Sequence, residues 1–114
     1  MLMINDGIVA GRQVVPRDWV RRSRSSDLPQ LAVGNLGPSG YAHYGYSNQW
    51  WTLGSVCHDA FTGLGVHGQY LFIDHSADVV IVKTSAWPTQ DDEARDRETI
   101  AALRRIADHF ATAR

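Results

Sequence analysis

Apolar residues are densest between residues 60 and 87, where the pattern is that of strands joined by turns. An apolar run covers residues 70–73, the polar stretch Asp-His-Ser-Ala-Asp follows, and four β-branched residues return at 79–82. Such runs bounded by turn residues are typical of β-strands. The pattern predicts a β-hairpin preceded by a glycine-rich stretch. Because residues 79–82 have no polar face, we expect this strand to be central or covered on both faces.

Two further segments predict regular structure. Residues 41–53, YAHYGYSNQWWTL, mix aromatic and polar residues as a strand does, with Tyr44 and Tyr46 on one side. Near the C-terminus a Thr-x-x-Asp sequence precedes apolar residues at helical spacing. These are Ile100, Leu103, Ile106, Ala107 and Phe110. We expect an amphipathic helix that packs on the sheet.

The first 40 residues carry weaker signals. Residues 1–6 resemble the last turn of a helix, because apolar residues are followed by the stop signal Asn-Asp-Gly. Pro16 predicts the start of a short helix with Trp19 and Val20 on its buried side. Residues 23–40 are rich in Ser, Gly, Pro and Asn, which predicts a long loop. These elements would cover only one face of the sheet, so the chain looks incomplete.

Charge and composition exclude several classes of function. Lys and Arg number 11 against 12 Asp and Glu, so we expect no nucleic acid and no anionic membrane as partners. No apolar run is long enough to span a membrane, and the first residues lack the pattern of a signal peptide. The single cysteine, Cys57, excludes an internal disulfide and leaves the cellular compartment open.

The histidines raise the question of a metal site. They are His43, His58, His67, His75 and His109. Their spacings match no compact ligand pattern, and Cys57, His58 and Asp59 are consecutive residues that cannot easily face one centre. We therefore expect neither a metal ion nor another cofactor.

Three motifs follow one another along the chain. They are NDGxxxGxxVxPxxW at residues 5–19, YGYxxxWW at 44–51 and GLGVHGQYLFID at 63–74. With the valine-rich strand and the C-terminal helix, they resemble the C-terminal third of the serine β-lactamase-like hydrolases. Within that family, the pattern is most similar to the class C-like branch that includes the 6-aminohexanoate-dimer hydrolases and related esterases.

The resemblance implies the fold class. It implies a partial α+β structure in which antiparallel sheet strands and a C-terminal amphipathic helix form part of a β-lactamase/transpeptidase-like α/β fold. Residues 1–114 would then be the C-terminal portion of a single β-lactamase-like domain, with no internal boundary.

The resemblance also implies which part of the family's chemistry lies in this chain. Family members carry a Ser-x-x-Lys nucleophile motif, which is absent because Val80 stands three residues before the only lysine, Lys83. Their third motif, Lys-Thr-Gly or His-x-Gly on a cleft-lining strand, corresponds to Gly-Leu-Gly at residues 63–65, which lacks the cationic first position. The backbone N–H of Val66 corresponds to one of the family's two oxyanion donors.

The same residue types suit this chemistry on physical grounds. Gly63 and Gly65 have no side chain that would keep a substrate away from the strand. An oxyanion needs N–H groups aimed at the point where negative charge develops, and Val66 would supply one. A bulge or tight strand packing would explain the glycines equally well, and His67 is more typical of a hydrogen-bonded structural residue. The residues predicted to bind substrate are Gly63, Leu64, Gly65, His67 and Tyr46.

Two hypotheses of function follow. In the first, the chain is the C-terminal part of a serine hydrolase that cleaves a small-molecule amide or ester through an acyl-enzyme, and it is inactive alone because the nucleophile motif is absent. In the second, the chain is a non-catalytic sheet-and-helix module that binds a partner or dimerises. Self-association is expected if one sheet face is uncovered.

Overall fold

The computed structural model describes residues 2–36, 41–54 and 59–113. Two strands near the N-terminus form an antiparallel pair, and five later strands form an antiparallel sheet in sequence order, with a long helix at the C-terminus. The elements are β1 (Ile8–Val9), β2 (Arg12–Gln13), α1 (Arg17–Ser23), a 3₁₀ turn (Pro29–Leu31), β3 (Gly45–Ser47), β4 (Trp50–Thr52), β5 (Ala60–Gly65), β6 (Gln69–Asp74), β7 (Val79–Lys83) and α2 (Glu93–Thr112). This architecture confirms the predicted fold class.

The aromatic segment predicted as one strand consists of two strands. β3 and β4 pair antiparallel, with Ser47 opposite Trp50. Between them, Asn48 and Gln49 have positive φ angles of 47° and 73°. Positive φ at both central residues is the backbone conformation of a type I′ two-residue hairpin turn. The prediction of a single strand was wrong because the turn sequence is Asn-Gln, whereas the usual signal for such a turn is Asn-Gly. Gln rarely adopts a positive φ.

The glycine-rich stretch is itself a strand. β5 pairs with β6 along its whole length, from Ala60 opposite Asp74 to Gly65 opposite Gln69. Residues 66–68 form the turn between them, so two hairpins follow one another where the sequence predicted one. The second hairpin, between β6 and β7, has the predicted turn at residues 75–78.

The valine-rich strand β7 lies at the edge of the described sheet, not at its centre. Val79 and Ile81 pack on the core beneath α2, whereas Val80 packs on the opposite side. Apolar cover on both faces thus explains the first part of the run. Val82, at the end of the run, is 69% exposed. Self-association of the chain is a separate expectation and stays a prediction.

Apolar clusters lie on both faces of the sheet. On one face, Ile100 and Leu103 of α2 pack on Phe72 of β6. On the other face, Met3 and Val20 from the N-terminal segment pack on the β-sheet, so the expectation of an uncovered second face was wrong. Complete burial of a large apolar side chain contributes about 1.5–3 kcal/mol, and these two clusters hold the helices to the sheet.

The two predicted helices form, with differences at their ends and faces. Asp92, not Thr89, caps α2, because its carboxylate accepts a hydrogen bond of 3.0 Å from the Arg95 N–H. Ile106 and Phe110 were predicted on the packing face but are 42% and 52% exposed. In α1, Val20 is buried as predicted, whereas Trp19 is 40% exposed. Among the described residues, no helix is long and apolar enough to cross a membrane.

Candidate functional site

The second half of β5 has an open edge. β4 pairs only with Phe61 and Thr62 of β5. In the described part of the chain, residues 63–65 therefore pair with β6 on one side and with no strand on the other. The backbone of the Gly-Leu-Gly motif lies along this open edge.

The direction of the backbone groups along β5 follows from one hydrogen bond. The carbonyl oxygen of Ala60 accepts from the Leu53 N–H at 3.1 Å, so the polar groups of Ala60 point toward β4. These groups alternate between the two sides of a strand, and those of Leu64 therefore point toward the open edge. Val66 follows as the first residue of the turn after β5.

The two glycines of the motif differ in the space around them. A Cβ atom built on Gly63 would lie 3.7 Å from Leu71 Cβ and 3.9 Å from the Trp50 ring, which are ordinary contacts. A Cβ atom on Gly65 would lie 2.9 Å from Gln69 Cβ, which is too close. Tight strand packing thus accounts for Gly65, whereas nothing in the packing requires glycine at position 63.

The turn after β5 is tied to the segment that precedes α2. His67 has a φ of 61°, and its N–H donates to the Gln90 carbonyl at 2.9 Å, while its own carbonyl accepts from the Trp87 N–H at 3.1 Å. Its ring Nδ1 lies 2.9 Å from the Trp87 carbonyl. The Gln69 side chain bonds the backbone of Ser85 at both its ends. His67 therefore has the contacts of a structural residue that holds the turn.

A cavity of about 380 Å³ lies beside this turn. One part of its wall is Leu64, Gly65 and Val66, and the rest is aromatic and acidic. The aromatic and acidic residues are Tyr41, Trp51, Tyr70, Trp87, Asp91, Asp92, Glu93 and Asp96, with Gln90 between them. Three of the residues predicted from the sequence thus share a cavity with aromatic rings and carboxylates that sequence reasoning had not connected with them.

Asp96 is the centre of a hydrogen-bond cluster on the wall of this cavity. The Tyr44 hydroxyl lies 2.9 and 3.0 Å from its two carboxylate oxygens. His43 Nε2 lies 2.7 Å from one of them, and the Tyr70 hydroxyl donates to the other. These bonds tie the first turn of α2 to β6 and to the residues before β3. No local motif could reveal this cluster, because its members lie 26 to 53 positions from Asp96 in the sequence.

Burial raises the pKa of Tyr44 and of Tyr70 far above the ordinary value of 10.0, and the negative charge of Asp96 raises both further. The pKa of Tyr41 is raised as well, first by burial and then by its hydrogen bond to Asp91. The cluster therefore keeps its phenols protonated, as hydrogen-bond donors to the carboxylates.

Raising the pH above 10 is expected to destabilise the fold. The pKa values of Tyr44 and Tyr70 are raised in the folded state, so their contribution to stability is fully present below the unfolded-state pKa of 10.0 and is lost as the pH rises toward the folded-state values. The measurement is urea unfolding at a series of alkaline pH values, with phenolate absorbance followed in parallel. Complete ionisation of all the phenols before circular dichroism detects any unfolding would contradict this expectation.

Tyr46 lies away from the cavity. Its ring packs edge-on against Trp51, with the centroids 5.1 Å apart. It lines a separate depression together with Trp19 and Leu28. Gly63 and His67 also lie outside the cavity lining, so the six predicted site residues do not form one contiguous surface.

The described residues contain no group of three or more His, Cys, Asp or Glu side chains placed to hold a metal ion. Cys57 and His58, two of the potential ligands weighed in the sequence, lie outside the described residues.

Comparisons with known proteins were made in sequence and in structure. The chain is 32% identical over 90 residues to the 6-aminohexanoate-dimer hydrolase of Paenarthrobacter ureafaciens. The aligned residues make up 79% of this chain and 23% of that protein. It also superposes, with a TM-score of 0.71 and 30% identity, on a solved structure from Bacillus anthracis whose name describes it as a 6-aminohexanoate-dimer hydrolase. That match covers 97% of this chain and 27% of the other. No protein-family model matches the chain.

These similarities confirm the resemblance drawn from the three motifs. The chain corresponds to a segment of a β-lactamase-like hydrolase fold. Within that class, it is similar to a segment of proteins whose names describe 6-aminohexanoate-dimer hydrolases. It spans about a quarter of the length of the relatives that it matches.

Proposed function

We propose that this chain forms the cleft-lining part of a serine hydrolase that cleaves small-molecule amides or esters through an acyl-enzyme. The observation that carries the proposal is the open edge of β5 at residues 63–65, which leads directly to Val66 beside a cavity. The names of the two relatives, which specify hydrolysis of a 6-aminohexanoate dimer, support an amide as the substrate.

In this proposal the chain stabilises charge and does not supply the nucleophile. A serine from a Ser-x-x-Lys motif outside these 114 residues attacks the carbonyl carbon and gives its proton to the lysine or tyrosine of the family's motifs, while the carbonyl π electrons move onto the oxygen, which is negatively charged in the tetrahedral intermediate. When the intermediate collapses, the amine or alcohol leaves with that proton and the acyl-enzyme remains. The Val66 N–H donates a hydrogen bond to that oxygen, together with the N–H of the serine itself. One such donor is worth about 10²–10³ in rate.

The proposed donor can be tested in a chimera. Residues 1–114 would replace the corresponding segment of the Paenarthrobacter ureafaciens enzyme, and hydrolysis of the 6-aminohexanoate dimer would be measured. Val66→Pro removes the backbone N–H, so we expect kcat to fall about 10²–10³-fold. Val66→Ala is the matched control, because it keeps the N–H and removes only a side chain that is 60% exposed.

Two further measurements make the result of the chimera decisive. Circular dichroism and thermal unfolding must show that both variants keep the fold of the parent chimera. The isolated chain, which lacks Ser-x-x-Lys, is expected to hydrolyse neither the dimer nor nitrophenyl acetate. A folded Val66→Pro chimera with the activity of the Val66→Ala control would exclude Val66 as an oxyanion donor, and turnover by the pure isolated chain would exclude the division of roles proposed here.

A further inference from the structure

We propose that His67 is a positioning residue that holds the backbone N–H of Val66 in place at the edge of the cavity. The hold on the turn is a property of this chain, whereas its role in catalysis rests on the proposed function. Three observations support the inference: the bonds that His67 makes, the anchoring of the residues after it, and an N–H at Val66 that no group in the described residues accepts.

His67 is bonded through its backbone and its ring to the segment before α2. Its N–H donates to the Gln90 carbonyl at 2.9 Å, and its carbonyl accepts from the Trp87 N–H at 3.1 Å. Its ring Nδ1 lies 2.9 Å from the Trp87 carbonyl oxygen. A carbonyl oxygen can only accept, so Nδ1 carries the proton and donates. One residue thus fixes both its backbone and its side chain against a segment 20 or more positions later.

The backbone of His67 also has an uncommon conformation. Its φ angle of 61° lies in the left-handed region, which few residues with a side chain adopt. Such conformations persist where the surrounding structure holds them, and they concentrate at functional sites. Glycine would adopt this φ more easily, but it could not donate to the Trp87 carbonyl. The ring bond therefore gives a physical reason for histidine at this position.

The residues after His67 are anchored to the same segment. The Gly68 carbonyl accepts from Lys83 Nζ at 3.4 Å. A Cβ atom on Gly68 would lie 2.6 Å from Cδ2 of Trp87, so the backbone of the turn packs directly on the indole. The Gln69 side chain accepts from the Ser85 N–H at 3.2 Å. The turn and the segment before α2 thus form one packed unit.

Val66 differs from the residues that follow it in the turn. In the described part of the chain, its backbone N–H donates to no carbonyl or side chain. Its neighbours are nevertheless fixed on both sides, because Gly65 pairs with Gln69 in the sheet and His67 is bonded as described. Val66 lines the cavity. Its N–H is therefore held in place by its neighbours and remains free to donate.

A fixed and unbonded N–H suits the stabilisation of an oxyanion. A donor that the protein already holds needs no rearrangement when negative charge develops, and a displacement of about 1 Å can cost about 10²-fold in rate. Loss of the His67 ring bond would loosen one side of the frame around Val66. We expect this to cost part of the donor's contribution, about tenfold in kcat.

The catalytic test uses the chimera described above. His67→Ala removes the ring donor, so kcat is expected to fall about tenfold. KM is expected to change by less than about twofold, because the oxyanion bond forms only in the transition state. His67→Asn offers a side-chain N–H in place of Nδ1 and tolerates a positive φ, so it should keep kcat within about threefold. His109→Ala, the same change at an exposed position of α2, is expected to leave both constants unchanged.

A second readout needs no hydrolysis and uses the 114-residue chain. Nitrogen-15 NMR of the imidazole rings is expected to show the proton of neutral His67 on Nδ1. Backbone relaxation is expected to show that His67→Ala increases the mobility of the Val66 N–H, that His67→Asn restores it, and that Leu71 in β6 is unaffected. The ring measurement needs no variant, so it tests the inference even if His67→Ala does not fold.

The inference and the proposed function fail in different ways. If the Val66→Pro chimera were inactive but a folded His67→Ala chimera matched His109→Ala, only the inference would be overturned. Full activity of the Val66→Pro chimera would overturn the oxyanion role, while the relaxation data would still decide whether His67 holds the Val66 N–H. A proton on Nε2, or unchanged mobility of Val66 in His67→Ala, would overturn the inference directly.

Discussion

Replacing Gly68 by alanine is expected to destabilise the fold by about 2–5 kcal/mol, because two separate costs act at this position. The φ angle of Gly68 is +84°, which costs a residue with a side chain about 1–2 kcal/mol. A Cβ atom would also lie 2.6 and 2.7 Å from Cδ2 and Nε1 of Trp87, and closer still to Cε2. Such overpacking typically costs about 1–3 kcal/mol. The measurement is the free energy of unfolding in urea.

Gly11 provides the matched control for this substitution. Its φ angle of +77° is nearly the same, but a Cβ atom there would meet no other atom within 4 Å. Gly11→Ala is therefore expected to cost only the conformational part, about 1–2 kcal/mol. Equal losses in the two variants would show that the indole of Trp87 moves aside without cost, and that the turn and the segment before α2 are not rigidly packed.

Replacing Asp96 by alanine is expected to cost about 3–5 kcal/mol. The substitution leaves the hydroxyls of Tyr44 and Tyr70 without their acceptor, and both tyrosines are buried, with exposures of 0% and 4%. A buried polar group without a partner costs about 1–3 kcal/mol, and the contact with His43 is lost as well. The measurement is again urea unfolding, combined with near-ultraviolet circular dichroism of the aromatic rings.

Two variants of the same helix test whether the hydrogen bonds cause the loss. Asp96→Asn keeps one oxygen that can accept from a tyrosine, so its cost is expected to be smaller than that of Asp96→Ala. Glu98→Ala removes an exposed carboxylate two residues away and is expected to change stability by no more than about 0.5 kcal/mol. If Asp96→Ala were as mild as Glu98→Ala, the cluster would not be what anchors α2.

Different parts of the sequence were informative to different degrees. The long helix α2 followed from the spacing of Ile100, Leu103 and Ala107, all of which are buried. The hairpin between β6 and β7 followed from continuous apolar runs around a polar turn. By contrast, the turn at Asn48 and Gln49 was missed, because its backbone twist is imposed by the pairing of β3 with β4 and is not favoured by the residues themselves.

The candidate site was only partly accessible to sequence reasoning. The motif at residues 63–65 and Val66 were singled out from glycine spacing and from the resemblance, and they lie along an open strand edge beside a cavity. The aromatic and acidic wall of that cavity was not foreseen. No sequence motif singled out Asp91 and Asp96, and their partners Tyr41 and Tyr44 belong to a segment 50 or more residues earlier.

The sequence by itself determined the fold class, the family resemblance and the absence of a Ser-x-x-Lys motif, because each of these depends on residue types and on spacings within short segments. Only the tertiary structure decided which half of β5 pairs with a strand on one side alone in the described sheet, which of its glycines is required by packing, and which carboxylates meet the aromatic rings. These features depend on contacts between residues that are distant in the sequence. Such contacts form only when the sheet and α2 pack together, so no local pattern encodes them.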